Sequence, residues 1–347
     1  MGLTMSTNGL GFPMFETTKI EFKKIHTDKK RLFLSEMMTK VASETAKKFE
    51  REARLEFCPC CKSGEIVFFT KKFEYDMDKC SECNHIFTNP MPREEALQYF
   101  YNSSFKDFEN EFFLDSFENR IPIFRQRLEL LKSIAAGRRL LDIGSAVGIF
   151  LAANSKCDDP FDITACDLSK SACDILKRKF PGTPVINKNV IDLDPSNFDV
   201  VTLWDTFEHI TDPQNLLKAV CSQLGSKGFF VFSTPNTASL EWEVMDAEHV
   251  QLLPPGHVNL YNVANIEIVL AMNGFNVVDI KTLNPSLDMS YLANVFSDTS
   301  LDETPAVRAS RILLDVLLEK DLFPHITSKF RDKKFAGNMV VVAQKSD

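Results

Sequence analysis

Cys58, Cys61, Cys80 and Cys83 form two Cys-x-x-Cys pairs separated by eighteen residues, in "CPCCKSGEIVFFTKKFEYDMDKCSEC". That spacing suits two knuckles presenting four thiolates to one tetrahedral zinc ion. A catalytic zinc keeps one coordination position open, whereas four thiolates close the shell, so the zinc is expected to be structural. Cys60 is the spare thiol of the run and His85 a weaker alternative ligand. Reduced cysteines without metal are the competing reading. A second constellation lies in "WDTFEHITDP", where Asp205, Glu208 and His209 are spaced i, i+3 and i+4 and would share one face of a helical turn. Such a set could take a proton from a nucleophile or hold a divalent ion. In the plainer reading His209 packs and hydrogen-bonds while the two carboxylates orient the turn. His249 and His257, in the Pro-rich loop "AEHVQLLPPGHVNLYN", are further candidates for catalysis. Glu243, Tyr261 and Tyr291 are weaker substrate contacts.

A third stretch, "LLDIGSAVGIF", carries Gly144 and Gly148 around a tight turn at the start of a helix, where missing side chains let a ligand approach the backbone. A dinucleotide fingerprint would want glycine at 144, 146 and 149, and the chain has Gly144, Ala146 and Ile149, so pyrophosphate has no close-packed cradle. Asp142, two positions before the first glycine, would instead face an amine-bearing group. Asp167, in "ACDLS", is placed to accept from two ribose hydroxyls. The alternative is that the glycines merely turn the chain and Asp167 caps a helix.

The elements that position these residues follow from the pattern around them. From about 138 onward short apolar strands alternate with helix-length periodic segments: "RRLLDIG", "DITACD", "TPVIN", "FDVVTLW" and "GFFVFSTPN" as strands, with helices between them. That alternation implies an α/β fold with a mostly parallel sheet covered on both faces. Asp212 with Pro213 marks a helix start, and Gly225 and Gly274 are expected just past helix ends. "FNVVDIKT" and "NMVVVAQ" are the last strands. Upstream, residues 1–54 read as a tail followed by a helix with an apolar stripe of Leu32, Leu34, Met37 and Val41, which needs either the body of the protein or a second copy as partner. Residues 55–92 form the cysteine module, closed by Pro90 and Pro92. Residues 93–137, rich in Phe, read as two helices meeting at Pro122. The remaining 138–347 form the large domain, with an insertion at about 284–336.

Composition bounds the partners. The 347 residues are 44% hydrophobic and 25% charged, the balance of a chain able to bury a core. A formal charge of -8 weighs against a broad grip on nucleic acid, which relies on Lys and Arg neutralising phosphates. No long apolar run or basic-then-apolar leader appears, so a cytoplasmic location without membrane contact is expected, as is reduced cysteine.

The ordered set "LLDIGSAVGIF", "ACDLS", "NVIDL", "FDVVTLWDTFEHITDP", "FFVFSTPN" and "GHVNLYNVANIEIVLAMNGF" resembles the class I S-adenosylmethionine-dependent methyltransferases, over about 138–282 and again 337–345. The resemblance implies a Rossmann-like, mostly parallel seven-stranded sheet, here with a helical N-terminal extension and a small N-terminal zinc-ribbon module. It implies that Gly144, Ala146 and Gly148 border the methionine moiety of the cofactor, with Asp142 beneath it. It also implies that Asp167 holds the ribose, Leu168 packs on the adenine, Asn189 and Val190 meet the adenine edge and Trp204 lines the methionine side. Ala146 departs from the pattern, since many members carry glycine there. Ubiquinone-pathway O-methyltransferases carry a Glu-His step similar to Glu208-His209; these two, with His257 from the Pro-rich loop, are the catalytic candidates. Members with a similar zinc module point to a sugar, glycan or secondary-metabolite acceptor. An RNA-modifying enzyme gripping through the zinc module and a non-catalytic scaffold are the rival readings, and the N-terminal helix is a candidate homodimer surface.

Overall fold

The structure, a computed structural model, describes residues 28–283 and 332–346, together with 308, 309, 311 and 312. The N-terminal tail, most of the expected insertion and Tyr291 lie outside the described residues. Helix α1 (Asp28–Lys48) comes first. Its residues Leu34, Met37, Met38, Val41 and Ala42 pack against Phe100 and Phe105 of the same chain. The partner surface that the stripe needs is therefore supplied by the body of the protein; the side chain of Leu32 lies outside the described residues.

Three antiparallel strands follow: β1 (Ile66–Lys72), β2 (Tyr75–Cys80) and β3 (Ile86–Thr88). The Phe-rich stretch then makes three helices rather than two: α2 (Glu94–Tyr101), α3 (Ser104–Asp115) and α4 (Phe117–Ile134). Pro122 lies inside α4, not at a junction. A proline removes one amide donor, here the one that would reach the carbonyl of residue 118 near the helix start. Burial of Phe117, Ile121, Leu128 and Leu131 in the core holds the helix continuous across it. The break falls at Ser116, whose hydroxyl donates to the carbonyl of Phe112 at 3.0 Å and accepts from Arg120 Nε at 2.8 Å.

The α/β domain runs β4 (Arg139–Ile143), α5 (Ile149–Ser155), β5 (Asp162–Cys166), α6 (Lys170–Lys179), β6 (Val185–Ile186), β7 (Phe198–Trp204), α7 (Pro213–Gln223), β8 (Leu224–Pro235), α8 (Leu240–Met245), β9 (Asn259–Leu260), α9 (Val263–Ala271), β10 (Phe275–Leu283) and β11 (Asn338–Lys345). Seven of these strands make one sheet in the order β6-β5-β4-β7-β8-β11-β10. Pairings are parallel except at β11, which runs antiparallel to both neighbours. Leu140, Leu141, Val200, Val201, Val231 and Phe232 are fully buried along the central strands, as a sheet covered on both faces requires. Asp212 caps α7 by accepting from the Asn215 amide, with Pro213 at its first turn. Gly274 follows α9 in the left-handed region at φ +80°, but Gly225 lies within β8, because that strand starts directly after α7.

The ninth strand belongs elsewhere. β9 pairs antiparallel with β3, Ile86 opposite Leu260 and Phe87 opposite Asn259, so the small sheet reads β1-β2-β3-β9. The cysteine module thus borrows its last strand from the α/β domain. No helix among the described residues is long and apolar enough to cross a membrane.

Candidate active site

The first site lies where β4 ends. Gly144 and Gly148 occupy the left-handed region, at φ +72° and +83°. A Cβ on Gly144 would come within 2.8 Å of the Thr206 hydroxyl, and one on Gly148 within 2.6 Å of the Phe180 ring and 2.7 Å of Leu176. A side chain at either position would therefore be strained by the backbone and crowded by its neighbours. Ala146 sits between them, also left-handed at φ +47°, a region that costs an L-residue about 1–2 kcal/mol. Its amide donates to Asp167 Oδ2 at 2.8 Å, while the Ser169 amide donates to Oδ1 at 2.8 Å. The Asp167 carboxylate is thereby locked in place, and each oxygen keeps a second lone pair for a ligand hydroxyl. Burial raises its pKa, opposed by those two amides. Leu168 is 70% exposed, an apolar side chain left free to cover a flat ring. Asn189 caps the short turn Val190–Asp192 by accepting from the Ile191 amide, and Val190 is buried in the core.

Beside this turn the polar groups do not close on themselves. Asp142 is buried; its Oδ1 accepts from Thr202 Oγ1 at 2.8 Å, and its Oδ2 has no partner. Burial pushes this carboxyl up to about 7. Arg127, on α4, is also buried, its guanidinium 4.6 Å from the Trp204 ring and 4.7 Å from the Phe124 ring. One nitrogen reaches Asp205 Oδ2 at 3.5 Å, while Nε and Nη1 are left without partners, as is Trp204 Nε1. An unpaired buried polar group costs about 1–3 kcal/mol, more for a charged one. Orphaned cationic donors beside an orphaned carboxylate oxygen match a ligand carrying both charges, such as the α-amino acid end of S-adenosylmethionine. The residues expected around that cofactor thus fit it, with Arg127 added. Arg127 leaves only a faint trace in the sequence, a cation flanking the apolar run Phe124, Leu128 and Leu131 on one helix.

Asp205, Glu208 and His209 do not share one face. Asp205 takes a left-handed φ of +48°, and the following turn, Phe207–His209, is a tighter 3₁₀ turn, so i, i+3 and i+4 no longer line up. Asp205 instead accepts from Ser233 Oγ at 2.8 Å and Asn338 Nδ2 at 2.9 Å. Burial alone would raise its pKa; Arg127 and these donors bring it below the usual carboxylate value. Glu208 is buried and accepts from Thr234 Oγ1 at 2.9 Å. Burial, with the charge of Asp205, pushes its carboxyl up to about 8. His209 Nδ1 lies 2.8 Å from the carbonyl of Gly256 and 3.0 Å from the Tyr101 hydroxyl. A carbonyl only accepts, so Nδ1 carries the proton and Nε2 the basic lone pair. His257 is fixed the same way by the carbonyl of Gln251 at 2.8 Å.

The two imidazoles meet edge to face at 4.7 Å. Ligand atoms of Glu208, His209 and His257 lie within 4.8 Å of one another. Burial holds both histidines neutral, His209 well below its ordinary pKa and His257 at about 4. His249 stays apart, 4.3 Å from the Trp242 ring, its Nδ1 accepting from the Gln251 amide. Tyr101, from the Phe-rich stretch, had no signal in the sequence. Glu243 lines a polar cavity of about 370 Å³ with Lys79, Asn84 and Asp246.

The four cysteines of the module converge. Sγ of Cys58 and Cys83 are 3.7 Å apart and those of Cys61 and Cys80 3.6 Å. A tetrahedral zinc with bonds of about 2.3 Å needs sulfurs about 3.8 Å apart, so the quartet fits the ion. Crowding by Cys83 and burial push the Cys58 thiol up, which a coordinated cation would reverse. Cys60 and His85 stand outside the quartet: the Cys60 thiol donates to the carbonyl of Asn265 at 3.1 Å, and His85 Nε2 meets Asn259 Oδ1 at 2.9 Å.

Comparison with known proteins bears on this geometry. Residues 117–280 match the family model described as a methyltransferase domain. Ubiquinone biosynthesis O-methyltransferase of Bordetella avium is 29% identical over 145 residues, 38% of this chain and 58% of that protein. Its namesake in Albidiferax ferrireducens is 31% identical over 143 residues, 38% and 56% of the two chains. The chain thus spans a little over half the length of these curated relatives. Magnesium protoporphyrin IX methyltransferase from Synechocystis, solved with bound SAH, is similar over 73% of this chain and 100% of that one, with 12% identity and a TM-score of 0.46. Over residues 117–280, then, the chain matches a methyltransferase domain.

Proposed function

We propose that this chain transfers a methyl group from S-adenosylmethionine to a hydroxyl oxygen of a small polar acceptor, of the sugar, glycan or secondary-metabolite kind. The observation that carries the reading is the pair of neutral imidazoles beside the cofactor cradle, His209 and His257, each with its proton fixed on Nδ1 by a backbone carbonyl. That arrangement leaves a basic nitrogen for a hydroxyl proton, as oxygen transfer needs. The names of the curated relatives, both O-methyltransferases, support oxygen as the accepting atom.

When bound, S-adenosylmethionine supplies a methyl group on a positively charged sulfur. The chain's residues divide the remaining work. Asp167 holds the ribose, Leu168 covers the adenine, Arg127 takes the carboxylate and Asp142 the ammonium. His209 receives the acceptor's proton, and Glu208 and His257 line its position. The zinc ion, held by Cys58, Cys61, Cys80 and Cys83, is structural.

Calorimetric titration with S-adenosylhomocysteine tests the cofactor half: binding is expected, weakened tenfold or more by Asp167→Ala. An absence of binding, or binding that this change leaves unaltered, rejects the reading. Labelled methyl groups followed into the small-molecule, RNA and protein fractions of a cell extract then identify the acceptor class. Label appearing in RNA would favour the nucleic-acid alternative, and label in no fraction the scaffold.

A further inference from the structure

Residues 256–262 lie between the cysteine module and the turn that carries Glu208 and His209, and they are bonded to both. The carbonyl of Val258 accepts from the Thr88 amide of the module at 2.9 Å, while the Val258 amide donates to the carbonyl of Glu208 at 2.9 Å. Asn259, fully buried, does the same with its side chain. Its Oδ1 accepts from His85 Nε2 at 2.9 Å, and its Nδ2 donates to the carbonyl of Ile210 at 2.6 Å. The ring of Tyr261 stands between His85, at 4.6 Å, and Phe207, at 4.9 Å. The zinc knuckle is tied in from its other side, where the carbonyl of Cys83 accepts from Asn262 and Asn265 at 3.3 and 3.2 Å. Comparable ties to the cofactor turn are not found among the described residues: the amides of Gly144, Ala146 and Gly148 bond to Cys166, Asp167 and Ser145, all within the α/β domain.

We propose that the zinc clasp is a positioning device for the reacting end: through Val258 and Asn259 it fixes the backbone of the Glu208–His209 turn and leaves the cofactor cradle unaffected. Asn259 and His85 are positioning residues, and the inference rests on the reading of Glu208 and His209 as the reacting end. A 3₁₀ turn of three residues makes few hydrogen bonds within itself and so has little cohesion of its own. Strand pairing to a metal-closed module supplies the rigidity that such a turn lacks, since metal binding contributes directly to the folding of its ligand loops.

Amide hydrogen exchange on the full chain, read by mass spectrometry, tests this. Removing zinc with a chelator is expected to speed exchange at least tenfold in residues 206–211 and 256–262, with residues 142–148 and 164–169 changing less than twofold and S-adenosylhomocysteine affinity less than threefold. Asn259→Ala should reproduce the loss at 206–211 while one zinc per chain stays bound. His85→Ala should do likewise, and His85→Gln, which keeps a side-chain donor for Asn259, should restore protection. The His pair reads the same bond should the Asn259 variant fail to fold. Unchanged exchange at 206–211 after zinc removal, or an equal rise across the whole sheet, overturns the proposal. A protein that shows the pattern yet binds no S-adenosylhomocysteine rejects the methyltransferase reading and leaves the coupling standing; binding without the pattern does the reverse.

Discussion

Within the span from Asp142 to Ser169 the chain supplies most of the hydrogen bonds that shape the proposed cofactor cradle: Ala146 and Ser169 to Asp167, Gly148 to Ser145, Gly144 to Cys166. His209, by contrast, is held by Tyr101 and Gly256, which lie 108 and 47 positions away. The two regions occupy adjacent ends of neighbouring parallel strands, β4 and β7, but one is a local product of a strand-turn-helix-strand unit and the other is assembled from four separate stretches of chain. A local site depends on a few residues that only its own turn can accommodate. An assembled site depends on everything that brings its pieces together, so remote changes should disturb the reacting end and leave the cradle intact.

The sharpest way to break that contrast is His209→Ala. Turnover, followed with labelled cofactor, is expected to fall about 10²–10⁴-fold, the usual worth of a positioned acid or base, with S-adenosylhomocysteine affinity within threefold of the parent. A loss of affinity with turnover per bound enzyme intact would place His209 in the cradle and dissolve the distinction. Next in size is Arg127→Met, since Arg127 is the one cradle group brought in from α4. Hydrogen bonds between charged groups contribute about 1.5–3 kcal/mol each, so calorimetry should show S-adenosylhomocysteine weakened roughly 10–100-fold. Affinity for 5′-methylthioadenosine, which lacks the amino acid end, should be unchanged, and an equal loss for both ligands would show that Arg127 merely supports Trp204.

The smallest effect concerns Glu208 and pH. Its folded pKa of about 8 stands above the value of about 4.3 in an unfolded chain. Between those values the folded protein keeps a proton that the unfolded chain has lost, so this group's contribution to stability falls as pH rises and levels off above about 8. Gln cannot ionise. The melting temperature of Glu208→Gln relative to the parent should therefore climb from pH 5 to pH 8 and then flatten. A constant difference across that range would mean that Glu208 is ionised in the folded protein.

Much of the large sheet could be read from the alternation of short apolar strands with periodic segments, because a strand buried on both faces must be apolar throughout. The short strand β9 escaped, since Asn259 and Leu260 make no apolar pair of the kind that marks the equally short β6 in "TPVIN". Pro122 misled for a related reason: a proline is a strong local signal, but core burial along α4 outweighed one lost amide bond. The expected face of Asp205, Glu208 and His209 assumed regular helix, and the left-handed φ of Asp205 set that aside.

By itself the sequence determined the cysteine quartet, the glycine turn and Asp167, because in each case residue type and short spacing nearly fix the geometry: thiolates for zinc, missing side chains for a tight turn, a carboxylate at a strand end. Only the tertiary structure decided that Arg127 reaches Trp204 and Asp205, that His257 rather than His249 joins His209, and that the module donates its sheet to hold β9. Those choices depend on which distant segments the sheet order makes neighbours, and a chain can bring remote residues together in many ways until packing selects one.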